Sequence, residues 1–214
     1  MIIGVCGFIG SGKGEFSKIL VNEHGYVEMS FASTLKDVLS AVFHWDRTLL
    51  EGTTPESRAW REVVDQWWAT RLGIPEFTPR WAMQNIGTGL FRGKFNDSIW
   101  VYSLEKAIQD KGDRVCISDC RFANEIKMVE QLGGKLVRIR RGADPDWYSI
   151  AEAANINQAQ WVKCDSVSKM KALGVHDSEW KWVGVGNQTV IDNDGDLNHL
   201  KNATNLFLGH LQPM

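Results

Sequence analysis

The sequence predicts a three-layer α/β/α fold on a parallel sheet, carrying a helical insertion and a lid-like segment. Three observations predict it. The chain opens on an apolar run, Met1-Ile2-Ile3-Gly4-Val5-Cys6, that leads directly into Gly7-Phe8-Ile9-Gly10-Ser11-Gly12-Lys13-Gly14, the strand, turn and helix start of a parallel sheet. A β-α-β alternation resumes at residue 114. Between these parts, residues 44–111 show helical periodicity and no convincing strand, which places an insertion between the second and third strands. A length of 214 residues suits one such domain with a sizeable core and not two independent ones.

In chain order, a strand at 2–6 is followed by the glycine loop and a helix at 12–23 with Phe16, Ile19 and Leu20 on one face. A second strand is expected at 25–29, and a helix at 33–43 from the spacing of Leu35, Val38, Leu39 and Val42. Residues 46–55 are polar and turn-prone. Residues 56–72 read as one helix, Pro75 and Pro79 break the chain, and 80–86 is helical again. A further amphipathic helix at 97–110 has Ile99, Trp100, Leu104 and Ile108 as its apolar side. The sheet returns at 114–118, with a helix at 124–132 and a strand at 135–139. Residues 141–187 are polar and weakly periodic, with a short helical run at 150–154, and suit a lid better than a core. A last strand at 189–192 passes through Asn193-Asp194-Gly195 into a helix at 196–208. The expected partition is a core of 1–43, 112–141 and 188–214, an insertion at 44–111 and a lid at 142–187.

Composition narrows the chemistry. The 24 basic and 26 acidic side chains leave a formal charge of −2, which offers no case for binding nucleic acid, so any basic groups that matter are local. Cys6, Cys116, Cys120 and Cys164 show no CxxC spacing and read as small core residues in a reducing compartment. The N-terminal apolar run is too short and too glycine-rich for a signal segment, and no other stretch is long enough to cross a bilayer. A soluble, cytoplasmic protein is expected. Of ten tryptophans, several lie between Trp45 and Trp100, where most supply core area.

The glycine run carries the chemistry. After a buried strand, successive backbone N–H groups of such a loop converge on phosphate oxygens, with a lysine ammonium reaching the terminal phosphates. A lysine in the first helical turn opposes the helix dipole unless an anion is nearby. The pattern G-x-x-x-x-G-K-[ST] asks for a hydroxyl after Lys13 to hold Mg²⁺, and the chain has Gly14 there, which leaves the ion to be held through water, by Ser11, by Glu15 or by a carboxylate elsewhere, Asp119 being the candidate. Asp119 ends a buried-looking strand, where open α/β sheets bind ligands, and Arg121 two residues later is a natural phosphate donor. Asp119 as a helix N-cap is the alternative. Arg138, Arg140 and Arg141 cluster at the end of the fourth strand, with Arg138 and Arg140 expected on one face and Arg141 at the mouth of the lid. Of these, Arg141 is the candidate for stabilising a phosphoryl transition state. Arg80, Gln84 and Thr88, spaced by four, share one helical face and suit a nucleotide's phosphate and base edge.

Several of these segments together resemble the bacteriophage-type deoxynucleoside monophosphate kinases, a branch of the P-loop kinases. The segments are Gly7 to Lys13; Arg80-Trp81-Ala82-Met83-Gln84-Asn85-Ile86-Gly87-Thr88 with Trp100; Ser118-Asp119-Cys120-Arg121-Phe122-Ala123-Asn124-Glu125; Arg141-Gly142; His176-Asp177-Ser178-Glu179; and Asn193-Asp194-Gly195. The resemblance implies a P-loop NTPase fold with a helical monophosphate-binding insertion. It also implies transfer of the γ-phosphoryl group of ATP, with Mg²⁺, to a deoxynucleoside monophosphate. On that basis Gly7, Gly10, Ser11, Gly12, Lys13 and Gly14 hold the ATP phosphates, and Asn193, Asp194 and Gly195 lie beside adenine. Arg80, Gln84, Thr88, Asp119 and Arg121 line the acceptor site, and Arg141 closes over the transferring group. Pro75, Pro79, Gly142 and Gly174 are expected at the edges of moving parts. The partners are small nucleotides, neither nucleic acid nor membrane, with a homodimer left open, and the location is the host cytoplasm if the gene is a phage's. Gly14 and the long stretch 142–175 depart from the family pattern. The alternatives are another small P-loop kinase, acting on dephospho-coenzyme A or a metabolite alcohol, and a non-catalytic nucleotide-binding module.

Overall fold

A computed structural model describes residues 1–110 and 114–211. Its elements in chain order begin with β1 (Ile2–Cys6), α1 (Lys13–His24) and β2 (Val27–Met29). Six α-helices follow: α2 (Ser33–Phe43), α3 (Arg47–Glu51), α4 (Pro55–Trp60), α5 (Gln66–Leu72), α6 (Pro79–Gln84) and α7 (Ile99–Gln109), with a π-helical segment, Asn85–Phe95, between the last two. The chain continues through β3 (Val115–Ile117), α8 (Ala123–Gln131), β4 (Lys135–Arg140), α9 (Tyr148–Ile156), α10 (Gln160–Ala172), α11 (Asp177–Trp180), β5 (Gln188–Asp192) and α12 (Leu197–Leu211). Two compact units result, Met1–Ser30 with Ile108–Met214, and Phe31–Ala107. The second therefore takes in α2, which the sequence reading had placed with the core.

In the first unit the five strands form one parallel sheet in the order β2-β3-β1-β4-β5. The step from β1 through α1 to β2 and the step from β3 through α8 to β4 cross the sheet in opposite directions. Right-handed crossovers then put α1 and α8 on opposite faces. Burial agrees. Ile3 and Val5 of β1, with Val137 and Ile139 of β4, pack on Phe16, Ile19 and Leu20 of α1 and on Leu200 and Phe207 of α12. On the other face Gly4 leaves room for Leu136, Cys120 and Val129 of α8, each 3.0 Å from where a Cβ would stand. The glycine loop thus sits at the carboxyl end of the central strand, where an open parallel sheet presents its ligand crevice.

The segment 142–187 is more structured than its weak periodicity predicts. It forms α9, α10 and α11 and buries Trp180, Trp182, Val183, Ala151 and Met170. Asn155 Nδ2 donates to the carbonyls of Trp180 and Val183, both at 2.8 Å, which bolts α9 to the chain around α11. Cys6, Cys116 and Cys120 are buried thiols, whereas Cys164 is exposed on α10, correcting its expected place in a core.

The second unit is held by aromatic rings. Phe43 lies 4.7 Å from Trp45, and 5.1 Å from both Trp68 and Phe77, centroid to centroid. Two sequence expectations change here. The turn-prone stretch after Trp45 contains α3, because the Asp46 carboxylate accepts from Thr48 N and caps it. The single helix expected over 56–72 is two, since Asp65 leaves the helix and caps α5 through Trp68 N while also accepting from Trp45 Nε1 at 2.8 Å. Among the described residues no helix is long and apolar enough to cross a membrane.

Phe16 is fully buried between α1, α12 and the sheet, whereas Leu206 on α12 is two-thirds exposed. Phe16→Ala is expected to cost about 3–5 kcal/mol of stability and Leu206→Ala less than about 0.5 kcal/mol, read from urea unfolding followed by circular dichroism.

Candidate active site at the glycine loop

The loop between β1 and α1 needs its glycines. Gly7, Gly10 and Gly12 have φ of 141°, 80° and 98°, a region that side-chain-bearing residues rarely enter. Space reinforces the requirement at two of them, since a Cβ on Gly7 would strike the Ile139 carbonyl oxygen and one on Gly12 the Asn193 amide. Gly12 is the N-cap of α1, and no side chain caps the helix. The first-turn N–H groups, left without intrahelical partners, and the positive end of the helix dipole together make an anion site.

Lys13 stands in that first turn, and its ammonium arches back to donate to the Gly7 and Phe8 carbonyls, each at 2.7 Å. Burial first, and then the Arg121 guanidinium, bring its pKa down to about 8, with Glu179 and Cys6 opposing the shift. The two loop carbonyls thus offset the dipole's opposition to a first-turn lysine.

The metal candidates differ in their surroundings. Glu15 is exposed and paired with Lys18 at 2.7 Å. The Ser11 hydroxyl is buried with no hydrogen-bond partner and lies under the loop, 2.9 Å from where a Gly7 Cβ would be. Packing does not impose glycine at position 14, because a Cβ there would meet nothing within 4 Å. Asp119, at the end of β3 beside β1, accepts from Ser30 Oγ at 2.7 Å. It does not cap α8, a role taken by Phe122 with Glu125, so the N-cap alternative falls away.

Glu125 is buried, and its Oε2 accepts from the backbone N–H groups of Arg121 and Phe122 at 2.7 and 3.0 Å. This fixes the backbone that carries the Arg121 side chain. The guanidinium is held in turn by Glu179 Oε1 at 2.9 Å and Ser178 Oγ at 3.4 Å, from α11. His176 caps α11 by accepting from Ser178 N at 3.3 Å. Glu179, Ser178, Glu125 and Ser30 had no role in the sequence reading. The His176-Asp177-Ser178-Glu179 run was visible as a segment, but its contact with Arg121 spans more than fifty residues and leaves no local pattern.

The three arginines at the end of β4 differ in exposure. Arg138 is buried, whereas Arg140, two residues along the strand, is part-exposed and pairs with Asp192 of β5 at 2.6 Å. Arg141 is exposed at the first residue after the strand. Asn193 is buried under the loop, where its Nδ2 donates to Ser11 O at 2.9 Å and its N–H to Arg140 O at 2.7 Å. Asp194 accepts from Gly142 N at 2.7 Å, and Gly195 lies against His199. In the second unit, Arg80 and Gln84 lie on α6, with Arg80 paired to Glu62 at 2.6 Å. Thr88 lies in the π-helical segment, whose turn closes at i→i+5, so the three do not follow the single α-helical stripe expected.

No family model matches the chain. It is 31% identical over 153 residues, 66% of its own length and 74% of the relative's, to a protein of Acanthamoeba polyphaga mimivirus provisionally named deoxynucleotide monophosphate kinase. Similar solved structures include dephospho-CoA kinase from Campylobacter jejuni (12% identity, 98% of this chain and 96% of that one, TM-score 0.44). TT1252 from Thermus thermophilus is another (16% identity, 100% and 98%, TM-score 0.41). At TM-scores below 0.5 these likenesses say nothing of substrate.

The depressed Lys13 pKa predicts pH-dependent binding of a polyanion at the loop. The ammonium is present below its pKa and lost above it. The affinity for inorganic tripolyphosphate, titrated calorimetrically, is expected to fall as pH rises through about 8. Lys13→Arg, which stays charged, is expected to remove that inflection.

Proposed function

This chain belongs to the deoxynucleotide monophosphate kinase family, and we propose that it transfers the γ-phosphoryl group of ATP to a deoxynucleoside monophosphate, giving ADP and the diphosphate. It is a phosphotransferase acting on a nucleotide-like substrate. The observation that carries the finer reading is that Arg121, held by Glu179 and Ser178, follows β3, the strand paired with β1, which leads into the glycine loop and Lys13. One cation sits on the loop of a donor triphosphate site. The second is held on a separate element, as an acceptor phosphate requires.

In this reading Lys13 and the amides of residues 7–14 hold the donor phosphates, and Arg121 exchanges Glu179 for the acceptor phosphate. An acceptor phosphate oxygen attacks the γ-phosphorus and ADP leaves in line, with no covalent intermediate, so the residues act by positioning and by stabilising charge. Arg141, exposed at the end of β4, is the guanidinium available to the transferring group. Asn193 supports the loop from beneath, while Asp194 and Gly195 remain at the surface for the adenine. The second unit by itself offers Arg80, Gln84 and Thr88 to a nucleotide's phosphate and base edge.

With Ser11 buried and Glu15 turned to Lys18, Asp119 and Ser30 are the oxygen donors that fit Mg²⁺. Bound there, the ion would neutralise charge on the phosphate oxygens.

A coupled ADP-release assay across deoxynucleoside monophosphates, their ribose counterparts, dephospho-coenzyme A and small alcohols tests the proposal. Turnover is expected with at least one deoxynucleoside monophosphate, and none at millimolar concentration would overturn it. Lys13→Ala is expected to abolish transfer, and Arg121→Ala to lower kcat/KM for the acceptor by about 10²-fold or more. An Arg121→Ala enzyme with unchanged acceptor KM and kcat would remove Arg121 from the site.

A further inference from the structure

The most heavily invested side chain in the first unit is one to which the reaction gives no task. Arg138 of β4 is 5% exposed. Its Nη1 donates to Tyr148 Oη at 2.7 Å, its Nη2 pairs with Asp144, and its Nε is buried without a partner among the described residues. The guanidinium carbon lies 4.5 Å from the ring centroid of Tyr148, 5.6 Å from that of Trp182 and 5.7 Å from that of Phe8. Stability alone is a poor account of this arrangement. Buried ion pairs are often matched or bettered by apolar side chains of similar volume, and an orphaned N–H adds a further cost.

What the cage does have is location. Asp144, Trp147 and Tyr148 lie at the start of the segment 142–187, and Trp182 lies near its end. Phe8 is a residue of the glycine loop, with Trp182 at 4.9 Å, Trp147 at 5.4 Å and Tyr148 at 6.2 Å from its ring. Its carbonyl is one of the two that hold Lys13. The root of the segment is tied once more where Gly142 N donates to Asp194. Both ends of 142–187 are therefore fastened to the phosphate loop.

We infer that Arg138 is a positioning residue for ATP: it clamps both roots of the 142–187 segment onto Phe8 and thereby holds the loop carbonyls and Lys13 in their phosphate-binding arrangement. Arg138 touches no phosphate in this account and acts through Phe8. The inference rests on the kinase reading for the choice of ATP as ligand. Its test needs no acceptor, so the two can fail separately: the reading in the turnover assay, the inference in an ATP titration.

The experiment titrates ATP with Mg²⁺ into the full chain by calorimetry, with thermal unfolding of each variant recorded in parallel. Arg138→Met, similar in length and uncharged, is expected to raise the Kd for ATP about tenfold or more, the scale on which supporting residues act. Arg138→Lys, which keeps the charge without the planar fork, is expected to fall between Arg138→Met and wild type. The acceptor KM is expected to change less than about twofold, a split that general loosening of the fold would not produce. Phe8→Leu, which keeps the backbone carbonyl and apolar bulk but loses the ring, is expected to weaken ATP in the same direction. A folded Arg138→Met whose ATP Kd stays within about twofold of wild type would overturn the inference and leave the cage a purely structural feature. Should Arg138→Met fail to fold, Phe8→Leu and Tyr148→Phe decide by the same criterion.

Discussion

The two hydrogen bonds from Lys13 to the Gly7 and Phe8 carbonyls are the interaction on which the rest of the first unit's site depends. An ammonium in the first turn of a helix is opposed by the dipole and, when largely buried, by desolvation. Charge-assisted bonds to two carbonyls, worth about 1.5–3 kcal/mol each, offset both costs. They do so only if those carbonyls converge on the lysine, which requires the positive φ of Gly7 and the supports beneath the loop. Asn193 supplies one support through Ser11 O and Phe8 the other through its packing on Trp147, Tyr148 and Trp182.

The surrounding polar groups follow a consistent pattern. Glu125 is buried to fix the Arg121 backbone, Asn193 to support the loop and Arg138 to join the loop to the segment that follows. In each case a buried polar group spends stability to define geometry near the place where an anion would bind, the trade-off expected of a preorganised site. The Ser11 hydroxyl, without a partner among the described residues, costs about 1–3 kcal/mol.

Much of this was legible in the sequence. The strand-loop-helix start and the helix over 33–43 follow from periodicity and glycine spacing, because they are set by contacts along the chain. The insertion's helices were legible as a group but not in their divisions, since Asp46 and Asp65 act as caps, and Asp65 is fixed as one by an indole twenty residues away, that of Trp45. The π-helical turn that displaces Thr88 from the Arg80–Gln84 stripe leaves no periodic signal distinct from an α-helix. The partners of Arg121 and the cage around Arg138 are invisible for a different reason. Glu179, Ser178, Trp182 and Phe8 lie tens of positions from the arginines they meet, and a charged residue in a strand reads as a surface group until the structure shows what covers it.

Gly14 shows how one departure redistributes chemistry. Glycine inside a helix costs about 1 kcal/mol relative to alanine, and no neighbouring atom compels it, because a Cβ there would meet open space. The residue is therefore explained neither by packing nor by backbone conformation. On the loop itself Ser11 is turned under and Glu15 is turned outward to Lys18. In the reading proposed above, a cation bound with the phosphates takes its protein oxygens from outside the loop. The sheet order puts β3 beside β1, and so sets Asp119 and its partner Ser30 next to the loop's entry strand. The strand order, more than the loop sequence, thus places that carboxylate.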